Sequence, residues 1–249
     1  MLNTFTLCVP YYRQPNMLRE QLQVWEHYPT QIPITLVDDG SPEPAKDVVL
    51  EHASPGLRRR MTLYRIGVDI PWNRGGARNL AAHWATTEWL VHIDIDHVLP
   101  LACAARLLAF EPTQAHWYRF ERFRIGAADD TRKKDKIDPA LTFGKIHPHI
   151  DSYLVTKAMY WLAGGYNEIF SGCLGGGSPF LAELSMLAEP RLLPDDIHLH
   201  VFTTSVVNDA SVRTLSRDRL EYARRKAALR GKYRSARHFR FPWTKEELF

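Results

Sequence analysis

The residues best placed to do chemistry close a short apolar run, Trp89-Leu90-Val91-His92-Ile93-Asp94-Ile95-Asp96. In an extended strand, positions i and i+2 face the same side, so Asp94 and Asp96 converge where the strand leaves its sheet. Two unpaired carboxylates so placed repel each other and are costly to bury. A divalent cation with oxygen ligands removes both costs, and its remaining positions can take diphosphate oxygens. A second acidic pair, Asp38-Asp39 followed by Gly40-Ser41, ends another apolar run, Ile34 to Val37. Taken singly, each pair also has the composition of an ordinary turn.

The elements that must position these pairs can be read from periodicity. Thr4 to Val9, Ile34 to Val37, Thr62 to Ile66 and the run ending at Asp94 have strand character. Met17 to Trp25, Ala45 to His52 and Ala77 to about Ala85 have helical spacing between them. Strands alternating with helices imply an α/β fold built on an open, mostly parallel sheet, which binds ligands beyond the carboxyl ends of its strands. Both acidic pairs fall at such ends. After Asp96 a helix is expected from Pro100 to Phe110, and a half-exposed strand from His116 to Ile125, where aromatic and charged residues alternate. A polar loop should follow over 127–139, then a strand from Ser152 to Val155 and a short helix from Lys157 to Leu162. The chain then predicts a glycine-rich loop from Gly172 to Ser178, a helix from Pro179 to Leu187 and a last strand from His198 to Ser205. A basic helix over 217–230 and a basic tail complete it.

Composition bounds the class. The 249 residues are 45% hydrophobic and 24% charged, as in a soluble globular domain, and the net charge is +4. No apolar run approaches the roughly 18 residues of a membrane span. The N-terminus lacks a signal peptide's basic start and apolar core. Cys8, Cys103 and Cys173 are odd in number and widely spaced, which favours a reducing, cytoplasmic setting, the host cytoplasm were the chain viral. The expected division is one domain over 1–212 and a basic helical extension over 213–249.

Four motifs, in order, carry a resemblance: Val9-Pro10-Tyr11-Tyr12, Val37-Asp38-Asp39-Gly40-Ser41, Gly75-Gly76-Ala77-Arg78-Asn79-Leu80, and Ile93-Asp94-Ile95-Asp96-His97 followed by Pro100. Together they resemble the GT-A glycosyltransferases of the family-2-like type, whose fold is a Rossmann-like open mixed sheet flanked by helices. The resemblance implies transfer of a sugar from a nucleotide-sugar donor, a UDP-sugar favoured, to a hydroxyl acceptor. It makes Asp39 the carboxylate that accepts a nucleobase N–H, with Pro10 and Tyr12 lining the base pocket. Gly75 and Gly76 would allow close backbone approach, and Arg78 would reach the nucleotide or a phosphate. Asp94 and Asp96 match the pair that holds Mn²⁺ or Mg²⁺ against the donor diphosphate. Asp94→Ala or Asp96→Ala is then expected to abolish metal-dependent donor binding while the fold survives. The string His198-Leu199-His200-Val201-Phe202 resembles a distal metal-ligand histidine; His200 is favoured, with His97 a further choice.

The resemblance departs at the catalytic base. Gly164-Gly165-Tyr166-Asn167-Glu168 matches the family's lead-in, but Gly175-Gly176-Gly177-Ser178 stands where an acidic pair is expected. Glu183, Asp151 and Glu168 are the carboxylates that could take the acceptor's proton instead. Beyond Arg213 the chain is strongly basic, and Arg224, Arg225, Lys226, Arg230 and Lys232, with the aromatic-basic string His238 to Trp243, suit an acceptor or polyanion surface. The loop cations Arg132 to Lys136 would add to it. A hydroxymethylated base in DNA is one acceptor of that kind, and a saccharide of glycan synthesis another. The missing acidic pair also leaves open a non-catalytic nucleotide-sugar or nucleic-acid binding module. A nucleotidyltransferase is disfavoured, because Pro10-Tyr11-Tyr12 replaces a basic phosphate loop.

Overall fold

A computed structural model describes residues 2–125, 142–173, 176–202, 219–229, 233 and 238–249. Strands β1 (Thr6–Tyr11), β2 (Ile34–Asp38), β3 (Met61–Ile66) and β4 (Trp89–His92) lie parallel in the order β4-β1-β2-β3. They are almost wholly buried, as parallel strands covered on both faces must be. The register fixes the site: Tyr11 lies opposite Asp38, and Cys8 opposite His92. The carboxyl ends of β1, β2 and β4 therefore open at one rim.

Side-chain alternation divides the core in two. Leu7, Val9, Leu36, Val91 and Ile93 face one layer, which includes Leu18, Leu22 and Trp25 of α1 (Pro15–Glu26). Cys8, Val37 and Leu90 face the other, with the small apolar face Ala77, Leu80 and Ala81 of α4 (Arg74–Trp84). Between these helices come α2 (Ala45–His52) and α3 (Pro55–Arg60); Ser54 caps α3 by accepting the Leu57 N–H at 3.1 Å. The short α3 was not foreseen in the sequence.

The sheet continues past β4 with reversed sense. β9 (Tyr153–Thr156) pairs antiparallel with β4 and with β6 (His116–Arg119), and β10 (Glu189–Leu192) adds an exposed parallel edge. The stretch read as one strand from His116 breaks at buried Phe120. Its second part, β7 (Glu121–Ile125), joins a smaller sheet with β5 (His97–Val98), β8 (Thr142–Ile146) and β11 (His198–Phe202). Helices α5 (Leu101–Leu108), α6 (Lys157–Leu162) and α7 (Gly177–Leu187) follow expectation closely. The expected loop cations Arg132, Lys133, Lys134 and Lys136 lie outside the described residues, as does the boundary expected at 212. None of Cys8, Cys103 and Cys173 is in a disulfide. Among the described residues, no helix is long and apolar enough to cross a membrane.

The C-terminal segment departs most from its reading as a basic tail. Trp243–Glu246 forms β12, antiparallel to β3, and completes the large sheet. Buried Glu168, in the 3₁₀ turn Glu168–Phe170, accepts the backbone N–H groups of Phe239 and Arg240 at 3.0 and 3.1 Å. Phe241 packs against α4 at Gly76, where a Cβ would lie 2.5 Å from both Phe241 Cε1 and Asn73 Oδ1. Alanine there would gain about 1 kcal/mol of helix propensity over glycine. It would also force apart a buried ring and a buried amide, at about 1–3 kcal/mol. The clash should win: Gly76→Ala is expected to lower unfolding stability in urea, and an unchanged or raised midpoint would contradict this packing.

Candidate functional site

The strand ends at the rim surround a cavity of about 260 Å³. Pro10, Tyr11, Tyr12 and Gln14 line it from β1 and the turn after it, Asp39 from β2, and Asp94, Ile95 and Asp96 from β4. Trp72 and Arg74, entering α4, and His149, ahead of β9, close the remaining wall. Trp72 has φ 51°, a left-handed conformation disfavoured for a bulky side chain, and the Arg74 guanidinium lies over its ring at 5.4 Å. Tyr12 is held by its hydroxyl, which donates to Asp69 at 3.0 Å.

The two aspartates after β2 divide their work. Asp38 points back into the fold and accepts the Ser41 and Ala45 backbone N–H groups at 2.8 and 2.9 Å, fixing the turn into α2. Burial, only partly offset by these bonds, raises its carboxyl to about 6. Asp39 points into the cavity. Its backbone N–H donates to Tyr11 O at 2.8 Å, and its carboxylate accepts the Asn73 amide N–H at 3.0 Å. Burial pushes this carboxyl well above the usual range despite the Asn73 bond.

Asp94 is not left to repel Asp96. The guanidinium of Arg78, wholly buried on α4, pairs with Asp94 Oδ1 and lies over the Tyr166 ring at 5.7 Å. Burial alone would raise the Asp94 carboxyl; Arg78, with help from His149 and Arg74, holds it far below the usual carboxylate range. The expectation that the fold survives loss of Asp94 therefore needs correction, since its removal would leave a buried cation uncompensated. Asp96 Oδ1 is 3.0 Å from His97 Nδ1, while His97 Nε2 accepts Arg122 Nη1 at 2.9 Å. His149 Nδ1 stands 3.3 Å from Asp94 Oδ2. Asp94, His97 and His149 each offer a ligand atom within 4.8 Å of the others.

Several expected site residues stand elsewhere. His200 lies opposite Val98, and Val201 opposite His97, so the rings of His200 and His97 occupy opposite faces of the small sheet. His200 packs on His198, with Nε2 atoms 3.3 Å apart. Gly76 is absent from the cavity wall, and Gly75 faces Tyr166 Cβ, so packing rather than ligand approach requires these glycines. Arg78 reaches Asp94 instead of open cavity. Among the expected bases, Glu168 is occupied by Phe239, Arg240 and Asn79. Glu183, on α7, is absent from the cavity wall. Asp151 stands behind that wall, buried, 3.0 Å from Arg74 and accepting the Tyr166 hydroxyl at 2.8 Å. A Cβ on Gly177 would fall 2.4 Å from Asp151 Oδ1, so its carboxyl fills the space beside the start of α7.

The basic helix α8 (Arg219–Ala228) exposes Arg224 and Lys226 but turns Arg225 inward, where Nη1 donates to the carbonyls of Ile169, at 2.8 Å, and Ser171. Arg230 and Lys232 lie outside the described residues. Sequence reasoning missed Trp72, Asn73, Arg74 and His149. For the first three the only signal is position, immediately before Gly75-Gly76; for His149 it is the string His147-Pro148-His149 two residues ahead of Asp151.

Residues 6–156 match the family model described as Glycosyl transferase family 2. Comparison with curated protein sequences gives no significant match. Among solved structures, S. aureus TarS 1-349 in complex with UDP resembles the chain with a TM-score of 0.61 at 15% identity, over 80% of this chain and 60% of that one. The same TarS fragment in complex with UDP-GlcNAc gives 0.61 at 15%, over 80% and 58%. The mannosyltransferase PcManGT from Pyrobaculum calidifontis, in complex with GDP-Man and Mn²⁺, gives 0.60 at 15%, over 95% and 66%. At such identity the likeness is one of fold, and the chain spans only about 60% of the TarS fragment. The match over 6–156, more than half of its 249 residues, makes the chain a member of glycosyl transferase family 2.

Proposed function

We propose that this chain transfers a sugar from a UDP-sugar to a hydroxyl acceptor with a divalent cation bound at the rim of the sheet. The observation that carries the reading is the convergence of Asp39, Asp94, Asp96 and His149 on one cavity from separate elements. Asp39 would accept a ring N–H of the base, between Pro10 and Tyr12, and Arg74 would meet the diphosphate. The residues fit a cation: Asp94, His97 and His149 form a mixed carboxylate-imidazole set, with ligand atoms within 4.8 Å of one another and the Asp96 carboxylate 3.0 Å from His97 Nδ1. Such a set suits Mn²⁺ better than Mg²⁺. A bound cation would supply Lewis-acid stabilisation of the departing diphosphate. Asp96, beside His97, is placed to complete the set or to orient that ring.

Of the three carboxylates, we assign the base to Asp151, which stands behind Arg74 at the cavity wall. Its buried Oδ2 is paired with Arg74 at 3.0 Å, and release of Arg74 toward a diphosphate would free that oxygen to take the acceptor's proton. Acceptor identity is drawn from charge: exposed Arg224 and Lys226 suit a polyanion, of which hydroxymethylated DNA is one example. DNA binding should then weaken by roughly 0.9 log units per contacted phosphate for each decade of salt. Salt-insensitive binding would leave a saccharide acceptor.

UDP-glucose and Mn²⁺ together should raise the melting temperature by several degrees, through binding to the native state alone. Neither should do so fully by itself, and no shift with any nucleotide sugar would overturn the reading. Asp151→Asn is expected to keep that shift while transfer falls by at least about a hundredfold. Unchanged turnover would remove Asp151 from its role.

A further inference from the structure

The cavity wall has a support that the family-matched segment does not contain. To accept a base N–H, Asp39 must be ionised despite the burial that raises its carboxyl, and an ionised carboxylate only accepts hydrogen bonds. The Asn73 amide beside it must therefore turn its NH₂ toward Asp39, as the 3.0 Å contact requires. That leaves Asn73 Oδ1 facing away, where the Ser171 hydroxyl donates to it at 2.6 Å. Reversal of the amide would set Oδ1 against the Asp39 carboxylate, and the Ser171 hydroxyl, donating to Oδ1, stabilises the orientation that turns NH₂ toward Asp39. Asn73 is fully buried, and its main-chain carbonyl accepts the Ala77 N–H at 3.0 Å, fixing its backbone at the start of α4.

Ser171 is held in turn from outside. It precedes Gly172, whose φ of 86° makes a left-handed turn. Arg225 Nη1 donates to the carbonyls of Ser171 and Ile169, and Arg225 Nε donates to Glu221 at 2.6 Å. Neighbouring Arg224 has 80% of its side chain exposed, whereas Arg225 has 26%. Sequence alone cannot tell these two arginines apart. Ser171 and Arg225 both lie beyond residue 156, where the family match ends.

We propose that Arg225 is a positioning residue of the donor site: it fixes Ser171, whose hydroxyl orients the Asn73 amide and so aims Asp39 at the nucleobase. The proposal rests on the reading of the cavity as a nucleotide-sugar site and deepens it. The basic helix thus serves the base-recognition end of that cavity, and the diphosphate end, built on Asp94 and His149, is independent of it.

The test compares UDP with inorganic pyrophosphate, each titrated calorimetrically with Mn²⁺ into the full chain. Arg225→Ala and Ser171→Ala should each weaken UDP about tenfold, the worth of one well-placed hydrogen bond. Pyrophosphate, which has no base, should bind within about twofold of wild type. Arg225→Lys, which keeps one charged donor, should recover part of the loss, and Arg106→Ala, which breaks the exposed pair with Asp196, should change neither ligand. Ser171→Ala removes a single hydroxyl and carries the test should Arg225→Ala fail to fold. Unchanged UDP affinity in the alanine variants, or equal losses for UDP and pyrophosphate, would overturn the relay while leaving the functional reading intact. Wild-type protein that takes pyrophosphate and Mn²⁺ but no UDP would overturn both.

Discussion

A positive charge sealed inside the protein governs this site. Arg78 is wholly buried on α4, and its Nε and Nη1 have no hydrogen-bond partner among the described residues. A guanidinium cannot discard its proton to escape burial, so it must find an anion. Asp94 is that anion, and Asp151, whose main-chain oxygen lies 3.4 Å from Arg78 Nη2, lends a second negative field. The pairing ties α4 to the segment that leaves β4 and fixes which way Asp94 faces. The family motif's arginine and its first aspartate are thus one unit.

Around that unit the site has two ends with different supports. One end hangs from β1 and β2, whose register brings Tyr11 beside Asp38 and leaves Asp39 projecting into the cavity. The other hangs from the end of β4 and the segment that carries His149, where carboxylates and imidazoles crowd together. Arg74 and Trp72 stand between them on a strained turn. Side chains of the C-terminal half brace α4 from behind. Asn79 alone accepts the Tyr160 hydroxyl and Tyr166 N–H, both at 2.8 Å, and donates to the Tyr166 carbonyl and Glu168. Such a fully satisfied buried network is costly to disturb and favours one arrangement over many.

Much of the N-terminal half was legible because its signals are local. Apolar runs ending in aspartate, helices with apolar faces and a glycine pair before a helix each follow from spacing within a dozen residues. What escaped was long-range. Nothing within Gly75-Gly76-Ala77-Arg78 says that the arginine turns inward to Asp94, or that the glycines make room for Tyr166 and Phe241. The strand at Trp243 hides among charges because it is an edge strand with one side in solvent, and edge strands need little apolar patterning. His200 misled because alternation places it on a strand but cannot say which face of the sheet meets the metal. His149 was overlooked because a loop histidine has no periodicity to mark it.

The most direct test of the central claim is a double-mutant cycle on the buried pair, followed by urea unfolding at neutral pH. Arg78→Met and Asp94→Asn should each destabilise the fold by about 3–5 kcal/mol, since each strands a charge or leaves a polar site unfilled. Together they should cost clearly less than their sum, with a coupling of at least about 2 kcal/mol. Additive losses, or an Asp94→Asn variant as stable as wild type, would show that Arg78 and Asp94 do not depend on each other and that the site is organised by something else.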